Sequence, residues 1–144
     1  MEKKEIRELL FRAEKARKLR LRGPFLELGL TLGQGQPRIL NNLLAHDHIS
    51  QKELAGLCHL DVTTMSRTLD RMEEAGFLTR ERDPACRRAC LVCLTEKGRE
   101  KAREVHRLFQ EVDDIIWDGF SETEMEAFGK TLRKVCENLE QDTP

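Results

Sequence analysis

The sequence predicts a mainly α-helical domain carrying one small β-hairpin, on three observations. Apolar residues recur at helical spacing in six segments, the pattern Ser-x-x-Glu stands at two helix starts (Ser50 with Glu53, Ser121 with Glu124), and residues 77–95 switch to short extended runs around Asp83-Pro84-Ala85. The first helix covers about residues 2–21, with Ile6, Leu9, Leu10, Ala13 and Leu19 as a partial stripe, and is expected to stop at Gly23-Pro24. After the glycine-rich run 32–37, a second helix starts near Pro37, a residue suited to a first turn, and carries Ile39, Leu40, Leu43 and Leu44 to His46. Ser50 and Glu53, with Ile49 and Leu54 placed as a hydrophobic staple, open a short third helix over 51–58.

Asp61 is suited to cap a fourth helix near 61–75, whose apolar positions Val62, Met65, Leu69 and Met72 share one face, and Gly76 ends it as a left-handed residue would. Phe77 to Thr95 then reads as two strands around the Asp83-Pro84-Ala85 turn, the second bearing Leu91, Val92 and Leu94. Thr95 starts a long fifth helix with Ala102, Val105, Leu108, Phe109, Val112, Ile115 and Ile116 as its stripe. The sixth, opened by Ser121 and Glu124, places Met125, Phe128, Leu132, Val135 and Leu139 at the alternating 3 and 4 spacing of a helix seam. Narrow stripes on the first, fifth and sixth helices are what a two-fold helical dimer interface would hide.

At 144 residues the chain fits a single domain, 1–144, in which 1–32 and 96–144 supply dimerisation helices and 33–95 a separate lobe. The charged N-terminus lacks the apolar run of a secretory signal, and no stretch approaches ~18 consecutive apolar residues, so no membrane role and a cytoplasmic location are expected. Five cysteines, an odd number, point to reduced thiols instead of a disulfide framework. A net charge of −1 argues at face value against a nucleic-acid binder. The total hides a gradient: 9 basic and 5 acidic residues in 1–32, 8 and 8 in 33–95, and 8 and 13 in 96–144.

Two short helices joined by a tight turn at Cys58-His59-Leu60-Asp61 and followed by a hairpin make a helix-turn-helix with a wing, a DNA-reading arrangement. On the fourth helix, the face opposite the apolar stripe holds Thr63, Thr64, Arg67 and Arg71, with Ser66 at the flank. These are donors suited to base edges and phosphates. A solvated helix shows the same polar face, so the hairpin matters: Arg80, Arg82, Arg87 and Arg88 against Glu81 and Asp83 leave a local excess of positive charge at a place where arginine enters a narrow minor groove. An ordinary charged turn is the plainer reading of the same residues.

Three runs together carry a resemblance: Ile49-Ser50-Gln51-Lys52-Glu53-Leu54-Ala55; then Asp70-Arg71-Met72-Glu73-Glu74-Ala75-Gly76-Phe77-Leu78-Thr79-Arg80; then Arg87-Arg88 on to Val92-Cys93-Leu94-Thr95-Glu96-Lys97-Gly98. Over nearly its whole length the chain resembles the MarR (multiple antibiotic resistance regulator) family. The resemblance implies a winged helix-turn-helix with N- and C-terminal dimerisation helices, and a homodimer on a pseudo-palindromic double-stranded operator. It further implies a recognition helix in the major groove, a wing arginine falling on Arg88, and repression relieved by a small-molecule effector. One position departs from the pattern: the family's wing commonly has Asp two residues before that arginine, and here stands Cys86.

Cys86, Cys90 and Cys93 reproduce a C-x3-C-x2-C spacing used for iron–sulfur clusters, but on one strand Cys90 and Cys93 face opposite sides and Cys86 lies ~13 Å from Cys90 if both are extended. A thiol sensor is the sharper reading. Cys86 beside Arg87 and Arg88 favours thiolate, and oxidation there would set a negative or bulky group beside the phosphate-contacting arginines; a neutral turn residue is the simpler alternative. Organic-hydroperoxide sensors of the family use a first-helix cysteine with tyrosines. Residues 1–57 hold no cysteine and the chain no tyrosine, which excludes that mechanism. Cys58 and Cys136 fall on apolar faces as core residues, and Trp117 as packing. His46, His48, His59 and His106 are too scattered for a metal motif, although Asp47 between two of them could assist a shared site. No cofactor and no catalytic set are expected. The other readings are a winged-helix protein-interaction module without DNA binding, favoured by the balanced charge of 33–95, and a metal- or redox-sensing regulator using the wing cysteines.

Overall fold

The computed structural model describes residues 1–31 and 33–142. Leu32, where the sequence reading ends the first dimerisation segment, lies outside the described residues, as do Thr143 and Pro144. The chain divides into two compact units, Met1–Val112 and Asp113–Pro144. The elements in order are α1 (Lys3–Glu27), α2 (Gln36–Ala45), β1 (Ile49–Ser50), α3 (Gln51–Cys58), α4 (Val62–Glu74), β2 (Leu78–Asp83), β3 (Cys86–Leu94), α5 (Glu96–Ile116) and α6 (Glu122–Glu140).

The expected stop at Gly23-Pro24 does not occur, for α1 continues to Glu27 with Pro24 inside it. Proline in a helix interior costs about 3 kcal/mol, since it lacks the amide and presses on the carbonyl four residues back. Burial outweighs that cost. Leu21 and Phe25 are 5% and 4% exposed, Phe25 meets the Phe109 ring edge-on at 5.3 Å, and each such side chain contributes about 1.5–3 kcal/mol.

Around them Ile39, Leu40 and Leu43 of α2, Leu54 of α3, and Met65, Leu69 and Met72 of α4 are fully enclosed, forming the core of the first unit. At α3 the Ser50 hydroxyl oxygen accepts the Glu53 amide at 3.1 Å, half of the expected capping box. The same Ile49-Ser50 pair also forms a strand that the sequence reading missed. Ile49 lies opposite Val92, giving a three-stranded antiparallel sheet in the order β1-β3-β2. Two residues are too few to display a strand's alternation.

Asp61 caps α4 through the Thr64 amide at 2.8 Å, and Gly76 at φ 82 ends it, with the Phe77 amide donating to the Met72 carbonyl at 3.0 Å. One assignment on this helix is overturned. The apolar spacing puts Val62 on the buried face with Met65, Leu69 and Met72, yet it is 73% exposed, and Thr68 completes that face instead. Helical side chains lean toward the N-terminus, so the first residue projects past the helix start, beyond what α3 covers.

The hairpin's root is fixed to α5. The Thr95 hydroxyl donates to the Gly76 carbonyl and accepts the Gly98 amide at 3.0 Å, while the Thr95 amide donates to the Phe77 carbonyl at 3.1 Å. Asp47 ties the other side, its carboxylate accepting the Leu94 amide at 3.0 Å, the His48 amide at 3.0 Å and the Arg99 guanidinium at 2.6 Å. Burial pushes its pKa up, but these donors outweigh burial and leave it below the ordinary carboxylate value. A depressed folded pKa gives stability that is complete above the unfolded value and lost as pH falls through the folded one. Asp47→Ala is therefore expected to cost about 1–3 kcal/mol near neutral pH, by stranding the Leu94 amide. Asp47→Asn should flatten the acid side of the stability curve. Urea titrations from pH 3 to 7 read both, and an unchanged midpoint with the wild-type acid limb would exclude the hub.

In the second unit, Ser121 and Glu124 make both bonds of the capping box, at 3.1 and 3.3 Å, and Trp117 meets Phe120 and Phe128 edge-on at 5.6 Å each. Cys136, read as a core residue, is exposed in this chain. It follows Val135 on the seam and so is turned about 100° away from it. Among the described residues no helix is long and apolar enough to cross a membrane.

Candidate nucleic-acid interface

The turn into α4 depends on His59, which adopts the left-handed conformation at φ 53 and lets the Leu60 amide return to the Ala55 carbonyl at 3.0 Å. That turn leaves the outer face of α4 clear of α3. Thr63 and Arg67 are exposed, and Ser66 is half-buried at the flank. Thr64 serves the cap, its hydroxyl donating to Asp61 Oδ2 at 2.7 Å. Arg71 donates from Nη1 to the Gln34 side-chain oxygen, while the Thr68 hydroxyl donates to the Gln34 backbone carbonyl at 3.0 Å. Gln34 thus latches the glycine-rich loop onto α4, a tie that no periodicity in the loop announces.

The four wing arginines do not act alike. Arg80 bridges Asp70 and Glu73 of α4 through Nη2, and its amide donates to Glu73 Oε2 at 3.1 Å, so it braces β2 against the helix. Arg82, Arg87 and Arg88 are exposed and, among the described residues, their side chains make no hydrogen bond or ion pair, as is also true of the Arg67 side chain. At the tip, Asp83 Oδ1 accepts the Ala85 amide at 2.9 Å, an Asx turn. Asp83 faces Cys86 but Arg82 faces Cys90, so Arg87, Arg88 and Ala89 have no counterparts on β2. This bulge thrusts two adjacent arginines out of the ladder.

The bulge, the start of α3 and the start of α4 enclose an open groove of about 490 Å³ whose walls include Lys52, Val62, Met65, Cys86, Arg88 and Cys90. Lys52 and Val62 are the residues the sequence reading left out. Lys52 carries no local signal that sets it apart from any solvated helix lysine, and the apolar character of Val62 matches the period of the buried face of α4. The remaining wing-strand cysteine, Cys93, is buried, and burial, then Glu81 and Asp47, raise its pKa. Burial likewise pushes Cys58 to about 11, against lowering by Arg38 and Asn42. Cys86 and Cys90 are exposed. Among the described residues, no three His, Cys, Asp or Glu side chains are grouped to hold a metal, and Asp47 is engaged with Arg99 and two amides. A second cavity, about 520 Å³, sets Arg17, Lys18, Arg22 and Arg38 around Leu21, Phe25 and Phe109.

The MarR family profile matches residues 32–90. Bacillus subtilis YybA, an uncharacterized HTH-type transcriptional regulator, is 28% identical over 118 residues, 82% of this chain and 77% of its own length. The crystal structure of MarR is 30% identical, with a TM-score of 0.68 over 93% of this chain and 96% of that one. The chain belongs to the MarR family. As a MarR-family transcriptional regulator it has the winged helix-turn-helix just described. A mutant MarR from E. coli complexed with operator DNA has the same fold, with a TM-score of 0.77 at 23% identity over 91% of this chain and 93% of its own.

Because Arg80 of this MarR-family chain is spoken for, Arg80→Ala is expected to lower stability by only about 0.5–1 kcal/mol, its acidic partners being largely solvated. DNA affinity should keep its wild-type salt dependence. A flattened salt slope in that variant would place Arg80 on phosphate after all.

Proposed function

We propose that this MarR-family regulator is a homodimeric repressor that reads a pseudo-palindromic duplex operator with α4 in the major groove and the wing in the minor groove. One observation carries the reading: Arg67 on α4 and Arg82, Arg87 and Arg88 on the wing stand exposed, their side chains without partners among the described residues. The wing arginine Arg88 and the start of α4 share one groove. Arginine held out in this way serves base edges and phosphates. Thr63 and Ser66 join it on α4, Thr64 and Arg71 act from the cap and the loop latch, and Lys52 at the start of α3 adds a phosphate contact.

A second copy of the chain supplies the symmetry. Ile6, Leu9, Leu10 and Phe11 on α1, and Met125, Phe128 and Leu139 on α6, are exposed apolar side chains that a helical dimer interface buries. This reading assigns 1–32 and 96–144 to the platform and 33–95 to the DNA-binding lobe, and it places the protein in the cytoplasm with its operator. The cationic rim and aromatic floor of the second cavity suit an organic anion as effector. Cys86, exposed on the groove beside Arg88, gives a thiol route to the same release, because a peroxide oxidising it to the sulfenic acid, with water as the other product, would leave a bulkier polar group crowding the wing arginines.

The test is fluorescence anisotropy of a labelled duplex from the gene's own upstream region, titrated at several salt concentrations. Log affinity should fall with log salt by about 0.9 per phosphate contact, and Arg88→Ala should weaken binding and flatten that line. An unaltered line removes Arg88 from the interface. Binding no tighter than to random duplex defeats the proposal.

A further inference from the structure

Val62 opens α4 with an isopropyl group 73% exposed to water, immediately before Thr63 and one turn ahead of Ser66 and Arg67. Among the described residues it serves neither the cap nor the core. The cap is made by Asp61 and Thr64, and the buried face by Met65, Thr68, Leu69 and Met72. Its surroundings are those of the DNA-facing surface, since it shares the groove with Lys52 of α3 and Arg88 of the wing. Those two cations in the same groove draw a polyanion over it, and the N-terminal end of a recognition helix is the part that reaches base edges.

Among base edges in the major groove, the C5-methyl of thymine is the apolar feature that a side chain without donors or acceptors is able to select. Valine is also stiff, with one χ1 rotamer strongly preferred in a helix, so little side-chain freedom is lost when it is pressed against a base. We propose that Val62 is a specificity-determining residue that reads a thymine methyl in each half-site of the operator. The inference rests on the DNA-binding reading above and adds to it a base preference that the hydrogen-bonding residues of α4 do not supply.

The experiment begins with the full-length protein selecting duplexes from a randomised library. The enriched sequence is expected to hold a thymine at one fixed place in each half-site. Replacing those thymines by uracil deletes only the methyl groups, and wild-type affinity should fall about fourfold per half-site, the worth of one buried methyl-sized group. Val62→Ala should bind the thymine and uracil duplexes equally. Val62→Ser, which has no methyl left to offer the base, should lose the discrimination while melting at the wild-type temperature, because the side chain is exposed. A wild-type protein indifferent to uracil at every thymine, or a Val62→Ala variant that still discriminates fully, overturns the inference and leaves the DNA-binding reading standing. Enrichment of no sequence at all overturns both.

Discussion

Gly98→Ala is expected to be the most damaging single-methyl change in this protein, lowering stability by about 3–5 kcal/mol, a large part of the 5–15 kcal/mol that holds an ordinary domain folded. A Cβ at Gly98 would lie 1.7 Å from the Phe77 carbonyl oxygen and 2.7 Å from its carbon. Both are backbone atoms, so no rotamer change relieves the clash. The Phe77 carbonyl is itself held by the Thr95 amide, and Thr95 by the Gly98 amide, so the helix cannot back away without breaking the root of the wing. Helix propensity alone argues the reverse, since alanine is favoured over glycine by about 1 kcal/mol inside a helix. Urea denaturation followed by circular dichroism separates the two. A variant more stable than wild type would mean that α5 does not rest on Phe77 as described.

The largest effect on binding is expected at Arg67. It is exposed, lies on the outer face of α4, and among the described residues has no internal partner, so Arg67→Ala should leave the melting temperature within the error of measurement. In a dimer the contact is lost twice. At about 1–3 kcal/mol for each base contact, operator affinity should drop on the order of a hundredfold or more, while binding to random duplex falls far less. Anisotropy titrations with operator and scrambled duplexes read the ratio. Parallel losses on both would reduce Arg67 to a phosphate contact, and a lowered melting temperature would make it structural.

Much of this architecture was legible in the sequence because local chemistry and tertiary packing agree. Asp61, Gly76 and Ser121 stop or start their helices where their backbone preferences say, and the Asp83-Pro84-Ala85 turn closes the hairpin. Legibility failed where distant residues decide. Pro24 looked like a terminator because the burial of Phe25 against Phe109, 84 positions away, is not a local property. Val62 fitted the apolar period of α4 but lies beyond the reach of the element that covers the rest of its face. Of the site, residue types were readable and commitments were not. The reading could list Arg80 with Arg82, Arg87 and Arg88, but only the fold reveals that Asp70 and Glu73 hold the first. Nor could it show that the bulge leaves the last two outside the ladder.

The pairing of Arg80 also bears on how the regulator finds its target. Residues 33–95 hold 8 acidic and 8 basic side chains, but Asp47, Asp61, Asp70, Glu73 and Asp83 accept bonds within the protein, whereas the side chains of Arg67, Arg82, Arg87 and Arg88 have no partner among the described residues. With no net excess, this segment exerts little attraction on a polyanion at range, and at physiological salt the field of its exposed cations fades within about 8 Å. Excursions along random chromosomal sequence should therefore be brief, with residence time set at the few sites where the contacts interlock.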